Sequence, residues 1–115
     1  LITAQDIPSV KNDRVFLDLL QTMAYPLEKV YFVMNRYDKR IAITPERISE
    51  NLKKEILVII PLDERTVITA VNRGVPFMLD NKTSPAAKGI YTLAESLRAS
   101  LLKKETDEIE KTARR

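Results

Sequence analysis

The chain has 115 residues, of which 44% are hydrophobic and 30% charged, with a net charge of +3, as expected for one globular domain or a piece of one. It has no cysteine, which excludes disulfides and zinc–thiolate sites and is typical of cytoplasmic proteins, and it has no histidine, the commonest general base and metal ligand. No apolar stretch approaches the roughly 20 residues that a membrane-spanning helix needs.

The first predicted elements are the end of a strand and a helix. Residue 1 is Leu rather than Met, so we expect the sequence to begin inside a longer protein, with residues 1–3 as the tail of a strand. Asp6 is suited to cap a helix that has Pro8 in its first turn and runs to about Ala24. The apolar residues of this helix cover a wide arc and predict that it is well buried; they are Val10, Phe16, Leu17, Leu19, Leu20 and Met23.

Two runs, residues 29–34 and 56–60, are apolar on both faces, which is typical of adjacent parallel strands covered by helices on both sides. Each run ends in polar residues: Asn35 and Asp38 follow the first run, and Asp63 follows the second. In such sheets the ligand lies beyond the carboxyl ends of the strands. We therefore expect these side chains to lie at a binding site.

Three helices are predicted to separate and follow these strands. Thr44 should cap a short helix, and Asp63 should cap a second helix that Gly74 ends. After a connector at residues 75–79, Ser84 and Pro85 should open a long helix. The side chains predicted to point inward are Ile48 and Leu52 in the first helix, Val67, Ile68 and Val71 in the second, and Ala86, Ile90, Leu93, Leu97 and Leu101 in the third.

The alternation of strands and helices predicts an α/β fold of three layers, a parallel sheet flanked by helices, over residues 1–102. Residues 103–115 are almost entirely polar, with the opposite charges of Asp107 and Lys111, and of Glu110 and Arg114, four residues apart. This pattern predicts a charged helical extension. The broad apolar face of a membrane-surface helix is missing from it.

Asn35 and the loop at residues 61–63 are the main candidates for binding, and each has a simpler interpretation. The Asn35 amide offers a donor and an acceptor to a purine edge, or it bonds only to the backbone of its own turn. Pro61 stiffens the loop beside a site, or the loop serves only to place Asp63 as a helix cap. No catalytic residues and no metal cluster stand out.

Asp38 lies in a basic segment with Arg36, Lys39 and Arg40. Such a segment is usually a solvated loop and only occasionally a contact for an anion or for DNA. The net charge of +3 permits nucleic-acid binding without requiring it, and we do not expect it.

The order of these pieces resembles the C-terminal half of the MinD/ParA family of deviant P-loop ATPases, and most of all its CpaE/TadZ-like pilus-assembly branch. The resemblance covers about residues 1–102. It rests on Phe32-Val33-Met34-Asn35-Arg36-Tyr37-Asp38, then Ile59-Ile60-Pro61-Leu62-Asp63, then Val67, Ala70, Asn72, Gly74, Val75 and Pro76.

The resemblance implies an ATP site of which this chain supplies only the adenine side. Asn35, Arg36 and the residues Pro61, Leu62 and Asp63 would then flank the base. The phosphate loop, its lysine and the Mg²⁺ ligands of the family are missing: the only glycines are Gly74 and Gly89, and neither lies in a Walker sequence. The chain would thus be a P-loop NTPase-like fragment that binds no cofactor alone, while the longer protein would bind ATP and Mg²⁺.

The resemblance also implies partners and a role. The upstream half of the same domain would pack against this chain, the longer protein would form an ATP-dependent homodimer, and assembly factors or a receiver-like domain would be further partners. The role would be spatial positioning or pilus and secretion assembly in the bacterial cytoplasm. The alternative is an α/β interaction module that is not an enzyme and never binds nucleotide.

Overall fold

The computed structural model describes residues 1–115 as three parallel strands and five α-helices. In chain order the elements are β1 (Ile2–Thr3), α1 (Ile7–Thr22), a 3₁₀ turn (Leu27–Lys29), β2 (Phe32–Tyr37), α2 (Pro45–Leu52), β3 (Ile56–Pro61), α3 (Glu64–Arg73), α4 (Phe77–Asp80) and α5 (Pro85–Ala113). The sheet has the order β1-β2-β3, and both pairings are parallel. The predicted α/β fold and the parallel neighbours β2 and β3 are confirmed.

The sheet is covered by helices on both faces, because successive side chains of a strand point to opposite sides. On one face β2 packs against α1 and α2, and on the other face β2 and β3 pack against α5. The buried residues of the first cluster are Leu17, Phe32, Met34, Ile48 and Leu52; those of the second are Val33, Val58 and Ile60, with Ile90 and Leu93 packed on them. These are the three layers that the sequence predicts.

The predicted starts of four helices are confirmed by their caps, whereas α1 ends at Thr22, two residues before its predicted end. The side chains of Asp6, Thr44, Asp63 and Ser84 each accept a hydrogen bond from a backbone N–H in the first turn of the helix that follows. Gly74 ends α3 with a φ of 66°, a left-handed conformation that glycine adopts without strain.

The first long strand begins later than the sequence predicts. Residues 27–29 form the 3₁₀ turn, so β2 spans Phe32–Tyr37 rather than residues 29–34. Asn35 and Arg36 therefore lie within the last part of the strand and not in the loop behind it. In the same way, the predicted connector at residues 75–79 contains the short helix α4.

Two helices are less buried than predicted. In α1 the only buried apolar residue is Leu17, while Phe16 and Leu19 are 43% and 52% exposed. The reason is that β1 is a two-residue strand at the edge of the sheet, so most of the apolar arc of α1 has no partner within this chain. Helix α3 has no buried residue, and Val71 is 73% exposed. The prediction that its apolar side chains point into the core is wrong.

The last helix packs closely on β3 at its start and leaves the body at its end. A Cβ atom at Gly89 would lie 3.1 Å from Ile60 Cγ2, so an alanine there would require Ile60 to shift by a few tenths of an ångström. Ala86 is buried, whereas Leu101 is 57% exposed, which shows that the predicted apolar stripe ends earlier than expected. No helix is both long and apolar enough to cross a membrane.

Residues 103–113 continue α5 as a helix, as predicted for the extension, although neither predicted ion pair forms. Lys104 is the last residue that is partly buried. Its ammonium donates to the Glu28 carbonyl oxygen at 3.0 Å and lies 5.2 Å from the centre of the Tyr31 ring. The division of the chain at residue 102 stays a prediction.

Candidate functional site

A cavity of about 400 Å³ opens at the carboxyl ends of β2 and β3. The five residues predicted for the site, Asn35, Arg36, Pro61, Leu62 and Asp63, all line it. Their common location follows from the parallel pairing of β2 and β3, which brings the ends of both strands to one edge of the sheet. Their role in binding is not tested by this location. We refer to this cavity as the cleft.

The walls of the cleft are mostly apolar. Val67 and Ile68 of α3, Phe77 of α4 and Ile90 of α5 contribute side chains that the sequence does not assign to a site. This placement explains why α3 buries nothing in the core: its apolar side chains at 67 and 68 face the cleft instead. The helical spacing of these residues was the available signal, but spacing alone does not distinguish a core face from a cleft wall.

Asn35 lies at the mouth of the cleft, where its side chain bonds to the adjacent backbone. The Oδ1 atom accepts a hydrogen bond from the Arg36 backbone N–H at 2.9 Å. Arg36 has a φ of 54°, which places a non-glycine residue in the left-handed region. The Asn35 amide nitrogen makes no hydrogen bond, so it is free to donate to a ligand. Asn35 can therefore bond to the backbone of its own turn through its oxygen and still bind a ligand through its nitrogen.

Asp63 caps α3 and also binds the first turn of α5, whose own N-cap is Ser84. Its Oδ1 atom accepts from the Thr66 backbone N–H of α3 at 3.3 Å, and its Oδ2 atom accepts from the Ala86 backbone N–H of α5 at 3.3 Å. The preceding residue is also fixed, since the Leu62 N–H donates to the Tyr37 carbonyl oxygen at 2.8 Å. The loop at residues 61–63 thus positions three sides of the cleft, as its capping interpretation predicts.

A pair of charged side chains lies at the entrance. The Arg36 guanidinium is 4.0 Å from the Glu64 carboxylate, and the two side chains are 70% and 64% exposed. Glu64 is in the first turn of α3 and lines the cleft together with Arg36. The sequence analysis missed Glu64, because an acidic residue at the start of a helix is expected from the helix dipole alone.

The loop after β2 is held by polar contacts outside the cleft. Asp38 accepts hydrogen bonds from the Arg40 guanidinium, two of them at 2.9 and 2.6 Å, and these bonds hold the pKa of the Asp38 carboxyl at about 2, below its ordinary value of 3.8. Gln5, which is buried, accepts from the Asp38 N–H at 2.9 Å and donates to the Ile43 carbonyl oxygen at 2.6 Å. Arg40 is therefore engaged within the loop, which favours the solvated-loop interpretation of the basic segment.

The cleft is chemically suited to a flat ring with apolar faces and a polar edge. Apolar side chains form its walls, and the free donor of Asn35 and the charges of Arg36 and Glu64 lie at its mouth. The chain has no group of three acidic, histidine or cysteine side chains that could hold a metal ion. Neither glycine lies in a loop that could surround phosphate groups.

Comparisons with known proteins agree with the fold. No family model matches the sequence. The chain is 27% identical over 112 residues to the septum site-determining protein MinD of Thermotoga maritima, covering 93% of this chain and 41% of that protein. Among solved structures it is similar to the MinD cell division protein of Aquifex aeolicus, with a TM-score of 0.73 and 27% identity, covering 85% of this chain and 42% of the other.

A further solved structure, the septum site-determining protein MinD of Pyrococcus horikoshii complexed with Mg-ADP, shares the fold with a TM-score of 0.67 and 24% identity over 84% of this chain and 40% of that one. The chain thus spans about two fifths of the length of the relatives it matches. In both sequence and fold, the chain is therefore similar to part of the MinD cell division proteins.

Proposed function

We propose that this chain forms the base-binding side of an ATP site in a longer MinD/ParA-like ATPase. The observation that carries the proposal is the cleft at the carboxyl ends of β2 and β3. Its apolar walls match the faces of adenine, and the Asn35 amide nitrogen, which has no protein partner, is available to the edge of the base. Pro61 and Leu62 form the wall beside β3, and Asp63 holds that wall in place.

The Mg²⁺ and most of the contacts to the phosphates would be supplied by another part of the longer protein. The related Pyrococcus horikoshii protein was solved with Mg-ADP, which supports ATP and Mg²⁺ as the cofactors. The apolar walls of the cleft suit a base, whereas no group of side chains in this chain suits a metal ion and no loop has a Walker sequence for a triphosphate. The chain's own contribution is therefore to bind and orient the base. We do not expect it to hydrolyse ATP alone, since phosphoryl transfer depends on a phosphate-loop lysine and Mg²⁺.

In the cell we propose a cytoplasmic role in spatial positioning or in pilus and secretion assembly. The partners would be the upstream half of the same domain, a second copy in an ATP-dependent homodimer, and assembly factors or a receiver-like domain. A related Aquifex aeolicus protein was solved as a MinC:MinD complex, which supports a partner-binding role in general. The CpaE/TadZ-like branch is proposed on the sequence resemblance alone.

A second candidate function is that of an interaction module that binds no nucleotide. The observation that favours it is a groove of about 480 Å³ beside β1, in which ten of eleven lining residues are apolar, among them Phe16, Leu20, Tyr25 and Leu97. Such a surface is typical of a docking site. In this case the cleft would be only a packing defect between α3, α4 and α5.

Calorimetry with ATP distinguishes the two. The 115-residue chain should bind ATP more weakly than about 1 mM, because the phosphate contacts supply the larger share of the binding free energy. In the longer protein, Asn35→Ala should weaken ATP binding by about 1–3 kcal/mol, the cost of removing a hydrogen-bond donor from the base. Lys39→Ala is the matched control, since Lys39 follows the same strand but does not line the cleft. Unchanged affinity in the Asn35→Ala protein would contradict the proposal.

A further inference from the structure

Arg36 is the one cationic side chain that lines the cleft. The conformation of its backbone determines the direction in which the side chain leaves β2. The left-handed φ of 54° and the hydrogen bond from its N–H to Asn35 Oδ1 turn the chain at the end of β2. The guanidinium then lies 4.0 Å from the Glu64 carboxylate, which also lines the cleft. A ligand in the cleft therefore has this exposed pair of charges among its neighbours.

Glu64 is the only carboxylate that pairs with Arg36. Both oxygens of Asp63, the nearest acidic residue along the chain, accept hydrogen bonds from the amides of Thr66 and Ala86. Asp38 is bound by Arg40 through both of its oxygens. The charge of Arg36 is therefore opposed by one carboxylate that has no other ion pair.

The Arg36–Glu64 contact is weak enough to be exchanged. The two side chains are 70% and 64% exposed, and their separation of 4.0 Å is at the outer limit of an ion pair. Exposed pairs of this kind contribute little stabilisation, because water screens both charges. A phosphate group carries more charge than a carboxylate, and its oxygens match the guanidinium fork in the same bidentate way, so it competes well for this arginine.

We propose that Arg36 is the specificity-determining residue for the charge of the ligand: on binding it leaves Glu64 and contacts a phosphate group attached to the nucleoside whose base fills the cleft. The ligand class is thus a nucleoside phosphate rather than a free nucleoside. This inference rests on the proposed function, which supplies the base. The exchangeable Arg36–Glu64 pair would thus distinguish charged from uncharged nucleosides in the cleft.

The test is an NMR titration of the 115-residue chain with adenosine and with AMP, which differ only in the phosphate. The unaltered chain should bind AMP about two- to fivefold more tightly than adenosine. Arg36→Gln should remove this preference. Glu64→Gln, which frees the arginine, should increase the preference for AMP by about twofold or more. The affinity for AMP should rise, and the affinity for adenosine should stay the same. Lys39→Gln is the control, because it removes one positive charge from the same segment outside the cleft.

Each outcome bears on a different claim. Equal affinities of the unaltered chain for AMP and adenosine would overturn the inference while leaving base binding intact. An equal loss of preference in Arg36→Gln and Lys39→Gln would also overturn it, since net charge would then explain the effect. If neither ligand shifts the resonances of cleft residues, the proposed function itself fails, and this inference fails with it. Each variant is first checked for an unchanged fold by its amide spectrum.

Discussion

Asp63 and Ala86 are joined by a hydrogen bond of 3.3 Å from the Ala86 backbone N–H to the carboxylate Oδ2 atom, across 23 residues of sequence. The other oxygen of Asp63 caps α3 through Thr66. One side chain at the end of β3 therefore fixes the beginnings of two helices, and the apolar side chains of those helices form walls of the cleft. The shape of the cleft depends on this carboxylate, even if Asp63 itself never contacts a ligand.

Asp63→Ala should cost about 1–3 kcal/mol of unfolding free energy, because α3 loses its N-cap and α5 loses the hydrogen bond from the Ala86 N–H in its first turn. Asp6→Ala is the matched control, since Asp6 caps only α1, through the Ser9 N–H at 2.8 Å. We expect it to cost roughly half as much. Urea denaturation measures both, and a loss for Asp63→Ala no larger than that for Asp6→Ala would show that the bond to Ala86 contributes nothing.

Gly89→Ala should destabilise the protein by about 1 kcal/mol, although alanine is the better helix former. The new Cβ would lie 3.1 Å from Ile60 Cγ2 and 3.3 Å from both Ile60 Cα and Pro61 Cδ. Overpacking of this kind costs about 1–3 kcal/mol, which exceeds the helix-propensity gain of about 1 kcal/mol. Thermal unfolding shows whether the variant is less or more stable. A raised melting temperature would mean that α5 can move away from β3 without a loss of stability.

The Asp38 carboxyl should titrate at a pH of about 2, below its ordinary pKa of 3.8, because the Arg40 guanidinium bonds to its charged form. Since this pKa is lowered in the folded state, the stabilisation by the pair is complete above pH 3.8 and is lost as the pH falls through 2. Carboxyl chemical shifts follow this titration. In Arg40→Gln the midpoint should return towards 3.8, and a midpoint near 3.8 in the unaltered chain would be evidence against the pair.

Removal of residues 105–115 should change the melting temperature little, because every one of these residues is exposed. Met34→Ala, by contrast, should cost about 2–5 kcal/mol, since Met34 is fully buried between β2 and its helices. Differential scanning calorimetry of both variants locates the end of the core. If both changes lowered the stability to a similar extent, the extension would have to make packing contacts, and the structure shows none there.

The sequence predicts the framework of this protein well because caps and two-sided apolar runs are local signals. Asp6, Thr44, Asp63 and Ser84 each begin a helix as predicted, and the runs that contain β2 and β3 pair in parallel. The predicted start of β2 is three residues too early, because Val30 and Tyr31, which lie between the 3₁₀ turn and the strand, continue its apolar pattern.

The burial of each apolar helix face could not be predicted in the same way, because it depends on which part of the protein packs against that face. The apolar side chains of α1 and α3 have the spacing of a core helix, yet Phe16 lies in the groove beside the edge strand β1 and is 43% exposed, and Ile68 lines the cleft. The five candidate site residues were placed together by the topology of parallel strands. Glu64 and Phe77 are not predicted as site residues, because no local sequence pattern marks them. Only the folded chain brings them to the same cleft as the five candidates.

The central claim, that the cleft binds a nucleobase, is tested most directly by a residue-by-residue NMR map of the 115-residue chain with adenosine. We predict that the largest shifts occur at the Asn35 side-chain amide, in residues 61–63 and at Val67 and Ile68, with none at Leu20 and Tyr25 in the groove beside β1. Shifts confined to that groove, or no shifts with saturating adenosine, would contradict the claim and favour the interaction module.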